Sequence, residues 1–193
     1  MEMLLSGLLL LLGSHSVRLF ADGWRARMLA RLGPNGWKAL YSLVSLAGLV
    51  LVVTGYAAAR QTSPLLYAPP VWTGPAATLL MLPALAVAAA AFVPGTRIKA
   101  AIGHPLVAAT KLWAAGHLLA NGRLVDVVLF GAILLWAGFD FSSLRRRDRA
   151  SGTRYPAGPL WRDGVAVALG AALWVVMLGS AHGWLTGVDL LAK

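Results

Sequence analysis

The chain carries four histidines, His15, His104, His117 and His182, and no cysteine. That set suits ligation through imidazole nitrogen, the way haem is held between helices in a membrane bundle. Two of the histidines share one stretch, GHPLVAATKLWAAGHLLANG, from Gly103 to Gly122, which also holds Lys111 among apolar residues. On one helix His104 and His117 would stand about 140° apart around the axis and about 20 Å apart along it. They cannot bind the same iron, so each needs a partner on another helix. Depth alone pairs His15 with His104 and His117 with His182.

His117 has the richest face. Thr110, Trp113, His117 and Asn121 form one helical stripe, in which Trp113 could pack on a flat cofactor and Thr110 or Asn121 could fix the imidazole tautomer. The bland alternative is a histidine that only hydrogen-bonds across helices. His104, next to Pro105, could be a helix-start residue, and His182, between Gly179 and Gly183, an interfacial one. Lys111 lies about 20° from His104 around the helix. A mid-span ammonium points to a propionate, a substrate carboxylate or a backbone carbonyl, with snorkelling as its structural alternative. Met81 and Met177 are weaker sixth-position ligands. The acids Glu2, Asp22, Asp126, Asp140, Asp148, Asp163 and Asp189 fall in loops or near helix ends. That argues against a proton-coupled transporter, which needs a carboxylate at mid-membrane.

The elements that position these residues are expected to be membrane helices. Of 193 residues, 59% are hydrophobic and only 12% charged, against roughly a quarter in soluble domains. The apolar residues fall in six blocks, Met3–Phe20, Ala39–Ala59, Pro75–Val93, Pro105 to Asn121-Gly122, Leu124–Phe141 and Gly164–Leu185, each near the about 20 residues that cross a bilayer. The expectation is an all-α polytopic membrane protein, a bundle of about six transmembrane helices in a single domain over residues 1–193. The first block lacks a positive n-region and reads as a retained helix rather than a signal peptide. Residues 21–38 read as a basic loop and FSSLRRRDRASGTRYPAGPLWRD as an arginine-rich one, while RQTSPLLYAPPVWTG suits an interfacial loop.

The net charge is +10. It is concentrated in alternate loops, at Arg18, Arg25, Arg27, Arg31 and Lys38, at Arg97 and Lys99, and from Arg145 to Arg162. Arg60, Arg123 and Lys193 stand on the other side. Positive-inside counting puts the basic loops in the cytoplasm and both termini outside. The expected partner of this charge is anionic lipid, not nucleic acid.

GSHSVR near the start, the His104-Pro105 to His117 spacing with KLW and HLLANG, and AHGWLTG near the end, in that order, resemble the NnrU family, which also includes the plastid zeta-carotene cis–trans isomerase. The resemblance covers nearly the whole chain. It implies a polytopic membrane protein associated with denitrification, needed for nitrite and nitric oxide reduction, with a nitrogen-oxide reductase or an electron-transfer protein as partner. From the isomerase branch it implies a b-type haem whose ligands carry over to His15 and His117. Trp113 and Lys111 then serve the same cofactor. The isomerase has a cysteine three residues before the second histidine, where this chain has Ala114, so a redox-linked exchange at that sulfur has no counterpart here. Along the membrane normal His15 and His117 are offset by about 15 Å from helical rise, so the pairs with His104 and His182 remain as rivals.

Three function classes follow: a haem-binding accessory protein of nitrogen-oxide metabolism, a haem-dependent isomerase of a polyene such as zeta-carotene, and an integral-membrane methyltransferase, since HP motifs also occur in the isoprenylcysteine methyltransferase group. The last requires an acidic cofactor-binding motif after the final basic loop, and the sequence has none there.

Overall fold

The computed structural model describes residues 1–191. Its regular elements are helices: α1 (Glu2–Phe20), α2 (Asp22–Arg60), α3 (Thr73–Ala89), α4 (Arg97–Ile102), α5 (Pro105–Ala120), α6 (Leu124–Ser151), α7 (Trp161–Val176), a π-helical turn (Met177–Ala181) and α8 (His182–Thr186). Among the described residues the only extended pairing is an isolated bridge between Leu65 and Arg123. Four helical stretches are long and apolar enough to cross a membrane: Glu2–Phe20, Asp22–Arg60, Leu124–Ser151 and Trp161–Thr186. α3, with 17 residues, is apolar but shorter, and α5 has 16.

The chain forms two compact units. The first comprises Met1–Ala68 and Asn121–Trp136, the second Pro69–Ala120 and the chain from Ala137 onward. In the first, α1 runs antiparallel to the later part of α2. The approach is close because small residues let backbones meet. A Cβ on Gly48 would lie 2.7 Å from Leu11 N, one on Gly7 would lie 2.8 Å from Leu51 C, and one on Gly55 would strike Leu4 N. Leu4 is fully buried there, and Val52 and Ala59 are buried on the facing side.

Of residues 21–38, expected as loop, 22–32 and 34–38 are helical, with Arg25, Arg27 and Arg31 along the first segment and Lys38 in the second. The helix breaks at Gly33 (φ 68°, ψ 171°) before Pro34. The residue before a proline is driven out of the α region, and proline itself starts the next helix well. The break is therefore where the sequence places it, but the chain on its N-terminal side has enough helix formers (Arg, Ala, Met, Leu) to stay wound.

The interfacial loop after α2 is tied to the turn that opens α6. Leu66 N and Tyr67 N donate to Gly122 O at 2.8 and 3.2 Å, and Leu124 N donates to Pro64 O at 2.9 Å. Arg123 Nη1 donates to Ser63 O at 2.9 Å. Asp126 is 2% exposed. Its carboxylate accepts from Arg123 N at 3.0 Å, capping the helix, and from the Tyr56 hydroxyl at 2.7 Å. A buried carboxylate needs such partners, and both lie in this unit.

In the second unit α3 is the central helix, packed on α5 and α7. Its face is mostly alanine: Ala77, Ala84 and Ala86 are buried, as are Ala109 and Ala114 of α5 and Ala166 of α7. A Cβ on Gly170 would lie 2.5 Å from Ala86 Cα, and Trp174 Nε1 donates to Thr78 O at 2.8 Å. Pro83 sits inside α3, which stays continuous around it. Asp163, at the start of α7, accepts from Ile98 N of α4 at 3.0 Å through Oδ1, while its Oδ2 is buried without a hydrogen-bond partner among the described residues.

α6 continues ten residues past the expected end at Phe141, so the arginine-rich stretch is helical through Ser151. Leucine, arginine and alanine favour this, and Arg147 Nη1 donates to Ser143 Oγ one turn back at 2.8 Å. α6 contributes its first part to the first unit and its remainder to the second.

Candidate functional site

Each histidine can be built up from its own helix. In α5, His117 lies one turn beyond Trp113, and its Nδ1 is 2.8 Å from Trp113 O. A carbonyl oxygen can only accept, so Nδ1 carries a proton. The tautomer is thus set by a backbone carbonyl rather than by Thr110, whose hydroxyl donates to Leu106 O at 3.0 Å. Asn121 lies past the helix end, where its carbonyl accepts from the Tyr67 hydroxyl at 2.7 Å. The Trp113 indole stacks obliquely on the imidazole, with centroids 4.6 Å apart and planes at 42°. Met81 reaches α5 next to His117: its terminal methyl occupies the space that a side chain on Gly116 would need.

His15 repeats the arrangement on α1. Its Nδ1 is 2.8 Å from Leu11 O, one turn back. Ser14 also donates to Leu11 O at 2.8 Å, and its hydroxyl lies 3.2 Å from Ser45 Oγ. Two aromatic rings flank the imidazole: Tyr41 at 5.2 Å and Trp136 at 5.8 Å between centroids. Trp136 Nε1 is buried and has no hydrogen-bond partner among the described residues. A buried indole N–H left unpaired is costly, so this donor marks a place where an acceptor is expected.

His182 follows the π-helical turn, and its Nδ1 is 2.8 Å from Val188 O. This bond reaches forward into the segment after α8 rather than back along the helix. Met177 opens the same π-helical turn.

His104 differs from all three. It precedes α5 and uses Nε2, which donates to Asp148 Oδ2 at 2.8 Å. The Tyr155 hydroxyl donates to both Asp148 oxygens at 3.2 Å. Burial raises the Tyr155 phenol above the usual tyrosine value, the Asp148 hydrogen bond and charge add to this, and Arg145 partly opposes it. Gly103 makes the close approach possible. Its φ is +81°, and a Cβ there would lie 2.9 Å from Arg145 Nη1 and 3.4 Å from Asp148 Oδ2. Neither Asp148 nor Tyr155 stands out in the sequence, because both lie in what reads as an ordinary basic loop.

Lys111 extends its ammonium over the Phe141 ring, 4.8 Å from the centroid. This cation–π contact gives the charge a partner at low desolvation cost. Ala114, at the position where the isomerase has its cysteine, is fully buried.

Among the described residues no three His, Cys, Asp or Glu side chains gather as a metal-ion site. A porphyrin brings four nitrogens of its own and asks the protein for only one or two axial ligands. His15 in the first unit and His117 in the second each hold a proton at Nδ1 by a bond to a backbone carbonyl.

A helical architecture with four helices of membrane-crossing length and composition defines a protein of membrane character. The particular family is also clear: the family model described as NnrU protein matches residues 3–190, and the chain belongs to that family. No curated protein matches the chain, and no solved structure does.

Proposed function

We propose that this protein binds a b-type haem in the bacterial inner membrane and supports nitrite and nitric oxide reduction, with His117 and His15 as the axial ligands. The observation that carries the reading is the bond each of these rings makes from Nδ1 to the carbonyl one turn back. Metal-ligating histidines typically donate their other ring N–H in this way, which orients the ring and raises its basicity. The family resemblance selects the same two residues. A bound haem would supply a one-electron centre. Trp113 would hold the His117 ring in its orientation, and the unpaired Trp136 indole N–H beside His15 would offer a hydrogen bond to a polar group bound there. The partner served is a nitrogen-oxide reductase or the electron carrier that feeds it. The buried alanine at position 114 argues against the isomerase alternative, whose cysteine it replaces.

The absorption spectrum of the purified protein tests this. Wild type is expected to show a Soret band. His117→Ala is expected to abolish or strongly shift it, His15→Ala to do the same, and His104→Ala to keep most of it. Loss of haem in His104→Ala with retention in His117→Ala overturns the assignment.

The same proposal includes six crossings, with α3 and α5 as the two short ones, and both termini in the periplasm. Reporter fusions after Arg147 and after Lys193 should land on opposite sides of the membrane; the same side for both would defeat this topology.

A further inference from the structure

A cavity of about 280 Å³ in the second unit is lined by Ala91, Lys99, Gly103, His104, Pro105, Leu106, Val107 and Tyr155, and the haem reading leaves it unused. Its polar and apolar residues are arranged in a way that points to a ligand. Lys99 contributes an ammonium with no ion pair or hydrogen bond among the described residues. Its backbone, in contrast, is fully engaged: Lys99 N donates to Thr96 Oγ1 at 3.0 Å and Lys99 O accepts from Gly103 N at 2.7 Å. The lysine is therefore held in place by its main chain while its charge stays uncompensated.

The other charges nearby do not cancel it. Asp148 is engaged by His104 and Tyr155, and Arg145 comes against the same glycine, Gly103, as Asp148 does. Counting Lys99, Arg145 and Asp148, the surroundings carry net positive charge whether His104 is neutral or protonated. With Nε2 committed to Asp148, protonation of His104 would add an N–H at Nδ1. The first-turn N–H groups of Leu106 and Val107 add donors, since they have no acceptor within their own helix.

We propose that this cavity is a phosphate-binding site with Lys99 as its principal cation. The donors belong to two elements, α4 and the start of α5, and include a compact ammonium, which suits a tetrahedral anion better than a planar carboxylate, for which an arginine fork is the usual partner. The phosphate can come from a phospholipid headgroup or from a soluble phosphate. The apolar lining at Ala91, Leu106 and Val107 favours the lipid. Leu106 is 49% exposed, and Phe92, adjacent to Ala91, is 75% exposed, which leaves an apolar path beside the polar rim for the start of an acyl chain. Basic pockets at the ends of membrane helices take anionic headgroups by the same physics.

The test is native mass spectrometry of the full-length protein in detergent, titrated with phosphatidylglycerol, phosphatidylcholine and inorganic phosphate. Wild type should retain phosphatidylglycerol over phosphatidylcholine by about fivefold, the worth of one lysine near anionic lipid. Lys99→Gln should lose that preference, Lys99→Glu should fall below it, and Lys99→Arg should keep most of it. Circular dichroism should show all of them as helical as wild type. If inorganic phosphate at millimolar concentration displaces the lipid in wild type but not in Lys99→Gln, the site serves a soluble phosphate; if it has no effect, the headgroup is the ligand. A wild type that shows no preference and no response to phosphate overturns the proposal. So does a Lys99→Gln variant that binds as wild type does.

Discussion

The two ends of α5 each carry a histidine, and the two rings use opposite nitrogens. His117 gives Nδ1 to its own backbone, the carbonyl of Trp113 one turn back. His104 gives Nε2 to Asp148, a side chain from α6, and sits in a hydrogen-bonded group with Tyr155. A backbone carbonyl one turn back costs the fold nothing, because helix geometry supplies it wherever a histidine takes the right rotamer. A carboxylate brought from another helix is a tertiary contact that holds elements together. The first arrangement readies a ring to bind something; the second spends the ring on the fold. A histidine just before α5 and one in its last turn thus do different work, which their spacing alone does not reveal.

The largest effect that would break this comparison is at the ligand end. His117→Ala should remove or strongly shift the Soret band, whereas His104→Ala should keep most of it, read on the purified proteins. Next is Lys111→Met, which removes the ammonium over Phe141 while filling the same volume. It should insert and express as wild type but retain less haem or complement more weakly; full activity would make Lys111 purely a packing residue.

A smaller effect is expected where His104 meets α6. Gly103→Ala forces a side chain into φ +81° and against Arg145, at a cost of about 1–2 kcal/mol for the backbone. Thermal unfolding in detergent should register the loss, with haem content unchanged. Asp148→Asn should cost about 1 kcal/mol, within the range for a hydrogen bond to a charged group in a partly exposed setting.

The smallest effect is in the pH dependence. Tyr155 has a raised pKa in the folded protein, so its contribution to stability is complete below the ordinary tyrosine value of about 10. It is lost as the pH rises from there through the raised folded value. Difference absorbance of wild type against Tyr155→Phe should show this phenol titrating late. Asp148→Asn should bring the titration partly back down, since burial, the main cause, would remain.

Much of the helical layout is legible from residues of special geometry. Pro105 begins α5 and Asn121-Gly122 ends it, because proline is preorganised for a first turn and the Asn-Gly pair stops a helix. Leu124 begins α6 for the same reason of adjacency. Residues 22–32 and 142–151 are not legible in this way. Both are rich in arginine, and arginine in a membrane protein marks the side of the membrane without saying whether the chain is wound. For 142–151 the helix continues unbroken from the apolar part of α6, and continuing a helix is easier than starting one; 22–32 lie beyond the break at Gly33 and are wound by their own helix-forming residues.

The site is legible only in part. His15 and His117 stand out by type, and the carbonyls that set their tautomers follow from helix geometry once the helices are granted. The partners of His104 do not stand out, since Asp148 and Tyr155 are distant in sequence and ordinary in context. Trp136 reads as one more aromatic residue in an apolar run. Only packing shows that its N–H is buried and unpaired. Asp126 reads as a helix-end acid, and only the fold brings it the Tyr56 hydroxyl.

The seam between α1 and α2 bears on how the protein is made. Gly7, Gly48 and Gly55 put backbone against backbone, and every residue of that seam is synthesised before Gln61. The two helices therefore hold a complete mutual interface before α3 exists, and they can pair as a hairpin while the rest of the chain is still being made. Gly55→Leu would deny the nascent chain that early pairing. Its damage should show as degradation of newly made protein during biogenesis, well before any defect in the finished molecule could be measured.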